Sequence, residues 1–85
     1  MNNGENIFLG KKILIYGLGK SGIAAFKFLK TRANVYLFDD NKIIDLELID
    51  YKQVLKTKFD RIIISPGIDI NNCKLSKFLK KNYSK

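Results

Sequence analysis

Residues 12–29, KILIYGLGKSGIAAFKFL, run from β-branched and aromatic positions through three glycines into a segment of helical period. Few folds accept this order. A buried strand that ends on a glycine turn and leads straight into a helix is the opening of a βαβ crossover. In KILIYG (12–17) apolar residues follow one another almost without interruption, as in a strand covered on both faces. From Ser21 the period changes. Gly22, Ala25, Phe26 and Leu29 fall on one helical face, and Lys20, Lys27 and Lys30 lie elsewhere.

The rest of the chain repeats this alternation. NVYLF (34–38) reads as a second strand, ending at Asp39. Ile44, Leu48, Tyr51 and Leu55 step at helical spacing, which predicts a helix over 43–56. DRIIIS (60–65) is a third strand of the fully covered kind, and KLSKFLKKN (74–82) a last helix with Leu75, Phe78 and Leu79 on one side. The order β-α-β-α-β-α implies an α/β, Rossmann-like open parallel sheet with right-handed crossovers and flanking helices. Three strands make a thin sheet and no strand follows the last helix, so residues 1–85 are expected to be one partial domain, cut short.

Composition narrows the function. With 85 residues and 46% apolar content the chain supports one small core. It carries 16 Lys+Arg against 8 Asp+Glu, a balance that admits nucleic acid, anionic lipid or a phosphorylated small molecule as partner. Only Arg32 and Arg61 are arginines, and Phe26, Phe28, Phe38, Phe59 and Phe78 lie in apolar periodic segments. Nucleic-acid readers rely on arginine forks and free aromatic faces, so no nucleic-acid partner is expected. A single cysteine, Cys73, and no histidine exclude a disulfide framework, Cys/His zinc sites and His-dependent nucleophiles. MNNGENIFLGKK has no apolar signal core, and no run approaches the ~20 residues that span a bilayer. A cytoplasmic location without membrane contact is therefore expected.

Ligands of open α/β sheets bind outside the carboxyl ends of the strands, and three motifs converge there. The first, Gly17, Leu18, Gly19, Lys20, Ser21 and Gly22, fits G-x-G-x-x-G between strand and helix. Gly17 allows the tight turn, Gly19 lets backbone approach a diphosphate, and Gly22 lets the helix pack close; the helix N-terminus, Ser21 and Lys20 would meet the negative charge. The alternative is a purely structural turn with Ser21 as N-cap. The second, Asp39, Asp40 and Asn41, places acids where a ribose diol or a base N–H can donate to them, or forms a polar turn. Adjacent carboxylates would repel a 2′-phosphate, which argues against NADP. The third, Ser65, Pro66, Gly67 and Ile68, suits a type II turn with positive φ at Gly67. On glycine spacing and Asp39 alone, NAD fits as well as any other diphosphate.

Together ILIYGLGKSGIAA, LFDDN and IIISPGI resemble the N-terminal domain of the Mur ligases, over residues 12–68. The resemblance is to the D-glutamate-adding branch; Lys20 and Ile23 stand against the L-alanine-adding one. It implies a domain of Rossmann shape that holds the UDP of UDP-N-acetylmuramoyl-L-alanine and not NAD. Carried over, Lys20 and Ser21 would approach the diphosphate, Asp39 with Asp40 the uracil, and Gly67 the uridine through its backbone. Asn41 stands where the family can carry a basic residue. The family's reaction, in peptidoglycan synthesis, phosphorylates a carboxylate with ATP before D-glutamate attacks the acyl phosphate. The resemblance assigns ATP and magnesium to further domains; GKSG at 19–22 lacks Walker spacing, so no cofactor and no catalytic residue is expected in this chain. A separate chain carrying the remaining ligase domains is the partner this implies. The rival expectations are an NAD-binding module of an oxidoreductase or regulator, and a non-binding remnant with an exposed sheet edge.

Overall fold

The computed structural model describes residues 9–41, 43 and 45–83, and the side chains of all of these except 82 and 83. Its elements are β1 (Lys12–Tyr16), α1 (Lys20–Leu29), β2 (Asn34–Phe38), α2 (Tyr51–Lys56), β3 (Arg61–Ile64) and α3 (Ser76–Tyr83). The three strands form one parallel sheet in the order β2-β1-β3. The Rossmann-like reading of the alternation is thus observed, as an open sheet of three strands.

β1 is the centre of the sheet because its sequence tolerates no water on either side. Ile13, Leu14, Ile15 and Tyr16 are fully buried, each contributing about 1.5–3 kcal/mol of transfer free energy for its apolar part. Its register aligns Tyr16 with Phe38 of β2 and with Ile64 of β3. Alternation then separates two cores. Leu14 and Tyr16 pack with Phe38, Val54, Leu75 and Leu79, so α2 and α3 cover that face. Ile15 and Leu37 pack with Leu18, Ile23, Ala25 and Phe26, so α1 covers the other. α1 and α2 lie on opposite faces because the chain moves outward from β1 to β2 and then returns across β1 to β3. That reversal of direction at β1 opens the crevice described below.

The second helix is shorter than its spacing predicts. Within 43–56 only Tyr51–Lys56 is helical, and Ile44 lies outside the described residues. Asp50 is the reason: its backbone is extended and its Oδ1 accepts the Gln53 N–H at 2.8 Å, which starts the helix there. The apolar residues before it serve another purpose. Ile43, Leu46 and Leu48 pack on the α1 side of the sheet, while Ile49 joins the α2 and α3 side and its N–H donates to Leu37 O at 3.0 Å. This segment wraps the outer edge of β2. Tyr51 and Leu55, grouped with them by spacing, are exposed. Phe28 is exposed as well, with the Arg32 guanidinium over its ring at 4.2 Å and bonded to its carbonyl. No helix among the described residues is long and apolar enough to cross a membrane.

Candidate functional site

Gly17 has φ +94°, a conformation that a side chain strains. Its N–H continues the ladder to Phe38 O at 2.9 Å, and its carbonyl accepts the Ser65 hydroxyl at 3.1 Å. A Cβ at Gly17 would stand 2.6 Å from Ile68 Cδ1 and 2.8 Å from Ser65 Cβ. The turn after β1 and the turn after β3 are therefore closed against each other. Gly22, in the first turns of α1, is closed in the same way: a Cβ there would meet the Gly17 carbonyl oxygen at 1.9 Å.

Gly19 is different. It is the N-cap of α1 with φ −76° and no side-chain cap, and a Cβ built on it meets nothing within 4 Å. Ser21 lies inside the helix and not at its cap, since α1 begins at Lys20. Ser21 is consequently free of the structural duty the sequence offered as its alternative role. α1 also has no acidic residue in its first turn, so nothing in the helix itself offsets the positive end of its dipole.

The third motif forms a turn of another kind than expected. Ile68 N–H donates to Ser65 O at 3.0 Å, closing 65–68. Positive φ is confined to Gly10 and Gly17 among the described residues, so Gly67 does not supply the positive φ of a type II turn. Proline at the second position suits type I equally, and type I keeps φ negative at the third. Glycine at 67 is thus required neither by φ nor by neighbours, because a Cβ there also meets nothing within 4 Å.

These turns and the end of β2 border a crevice of about 490 Å³. It gathers every residue of the three motifs except Gly22, which lies buried behind Gly17. Its lining carries both signs of charge, Lys20 with the N-terminus of α1, and Asp39 with Asp40. Asp39 is held firmly: Oδ2 accepts the Leu18 N–H at 2.7 Å and Oδ1 the Asn41 N–H at 2.8 Å. It thereby locks the glycine turn to β2, and each oxygen keeps a lone pair for a further donor.

Tyr16 belongs to the site, although the strand pattern marks it only as core. Its hydroxyl reaches from β1 to Asp40 Oδ1 at 2.6 Å. Burial pushes this phenol far above its ordinary value, and the hydrogen bond to Asp40 acts in the same direction. Lys74 Nζ donates to the Asp40 carbonyl at 3.1 Å, so the approach to α3 is attached to the same residue. The available signal was parity: Tyr16 shares a face with Leu14, and a phenol buried there needs a polar partner.

Fold and site together define a Rossmann-like α/β unit with a charged, glycine-lined crevice at its switch point. Eight curated relatives match the chain. Among them, the UDP-N-acetylmuramoylalanine–D-glutamate ligase of Lachnoclostridium phytofermentans is 39% identical over 77 residues, covering 72% of this chain. Those of Protochlamydia amoebophila and Aquifex aeolicus are 39% and 38% identical, covering 86% and 82%. The chain belongs to the Mur ligase family, and the relatives it resembles are its D-glutamate ligases. It spans 17%, 20% and 16% of the length of these three. No family model matches the chain, and no solved structure does.

Proposed function

We propose that the crevice holds the UDP moiety of UDP-N-acetylmuramoyl-L-alanine, and that the chain contributes this substrate-holding part to D-glutamate ligation in peptidoglycan precursor synthesis. The observation that carries the reading is the bareness of Gly19 and Gly67. Neither glycine is explained by its backbone angle or by internal packing, and both border the crevice. A ligand lying against the backbone explains both. In this reading the diphosphate lies toward Gly19, Lys20 and Ser21 and the base toward Asp39 and Asp40, whose oxygens can accept an N–H.

In this proposal Gly17 and Gly22 shape the turn, Ser65 and Pro66 fix the facing wall, and Asn41 borders the base end. The bound nucleotide fixes the acceptor carboxylate in space, so binding energy serves orientation. ATP, magnesium and the groups that activate the carboxylate are assigned no residue in this crevice, and the setting is cytoplasmic.

The test is an NMR titration of labelled protein with UDP-N-acetylmuramoyl-L-alanine, UDP and NAD in parallel. Shifts at Gly19, Ser21, Asp39 and Gly67 are expected with both uridine ligands and not with NAD. The same shifts with NAD alone would reassign the crevice to a dinucleotide.

A further inference from the structure

Asp40 is tied to the segment that leads into α3 through Tyr16 and Lys74. Tyr16 donates to its carboxylate at 2.6 Å, Leu75 and Cys73 pack in the same apolar cluster as Tyr16, and Lys74 Nζ donates to the Asp40 carbonyl at 3.1 Å. Tyr16 itself has no exposed surface, and its ring packs on Phe38 with centroids 5.6 Å apart. The phenol is therefore fixed, and it fixes one oxygen of Asp40. A half-buried aspartate in a turn would otherwise sample several rotamers and lose that freedom on binding.

We infer that Tyr16 is a positioning residue of the crevice: it presets the Asp40 carboxylate as the acceptor for a ligand N–H and links occupancy of the base end to the 73–75 segment at the head of α3. This rests on the nucleotide reading above. Two consequences separate it from a merely structural tyrosine. A ligand with a base must feel the loss of the hydroxyl, whereas one consisting of the phosphate end alone must not. Occupancy must also be felt at Leu75, which lies outside the crevice lining.

The experiment measures binding of UDP and of inorganic pyrophosphate by NMR titration, on the parent chain and on Tyr16→Phe, Asp40→Asn and the double variant. In Tyr16→Phe, UDP is expected to bind about tenfold more weakly, the scale of a lost hydrogen bond to a charged group. Pyrophosphate affinity is expected to stay unchanged. The double variant should lose no more than the larger single loss, because the two residues act as one unit. Saturation with UDP should shift the Leu75 amide in the parent and not in Tyr16→Phe. Equal weakening of both ligands, unchanged UDP affinity, or fully additive losses would each overturn the assignment. Should Tyr16→Phe fold poorly, Asp40→Asn still decides, since a Leu75 shift that survives it refutes the linkage. A parent chain that binds pyrophosphate but not UDP fails the nucleotide reading itself, a result distinct from all of these.

Discussion

Gly17 and Gly22 differ from Gly19 and Gly67 in what keeps them free of a side chain. The first pair is enclosed by the protein, with would-be Cβ contacts of 2.6 Å and 1.9 Å. The second pair opens onto the crevice, with nothing inside 4 Å. A glycine-rich motif thus combines two constraints that look identical in sequence, one set by folding and one by whatever occupies the crevice. Substitution separates them.

Gly22→Ala is the most disruptive change, because its Cβ meets a backbone oxygen that cannot rotate away. A loss of about 3 kcal/mol is expected by urea denaturation, at the upper end of overpacking effects. Gly17→Ala combines positive φ with a collision against Ser65, and about 2 kcal/mol should be lost in the same assay. A loss in either variant below about 1 kcal/mol would break the distinction, since ordinary substitutions reach that size. Gly19→Val is expected to stay within about 1 kcal/mol of the parent, the scale of an altered N-cap. Its UDP binding should nevertheless vanish in the titration. Binding equal to the parent's would make Gly19 an indifferent position. Gly67→Ala should show the smallest effect, a thermal midpoint unchanged or raised by the equivalent of about 0.5 kcal/mol through restriction of the unfolded chain. Several-fold weaker UDP binding should accompany it, and a lowered midpoint would show an internal role for Gly67 after all.

Much of this arrangement is written locally in the sequence. Strand β1 is unmistakable because four adjacent residues need burial, and the glycine turn follows it without a gap. Convergence of the three motifs follows from parallel strands alone. Three features escaped local reading. The start of α2 depends on Asp50, whose capping competes with a helical period that Leu48 and Tyr51 only simulate; those residues face different surroundings. The turn at Gly67 could be of either type, since proline at its second position permits both. Tyr16 reads as core because one side chain serves both the apolar face and Asp40, and its partner is 24 residues away. Such pairings are set by register, which no window of a few residues contains.

The two joints of the crevice also differ in chain separation. Asp39 joins the glycine turn across 21 residues, through Leu18, whereas Ser65 joins it across 48, through Gly17. Loop closure is entropically dearer for the longer span, and distant pairings delay folding. β1, α1 and β2 can associate first, as one local unit, and β3 docks onto them afterwards. The facing wall at Ser65 and Ile68 arrives with β3, so the crevice is complete only once β3 has docked. A chain that has not yet seated its third strand has a glycine turn and two acids but no second wall. Ligand present during refolding would therefore slow unfolding without hastening the first association, since it meets a complete surface only once the sheet has closed.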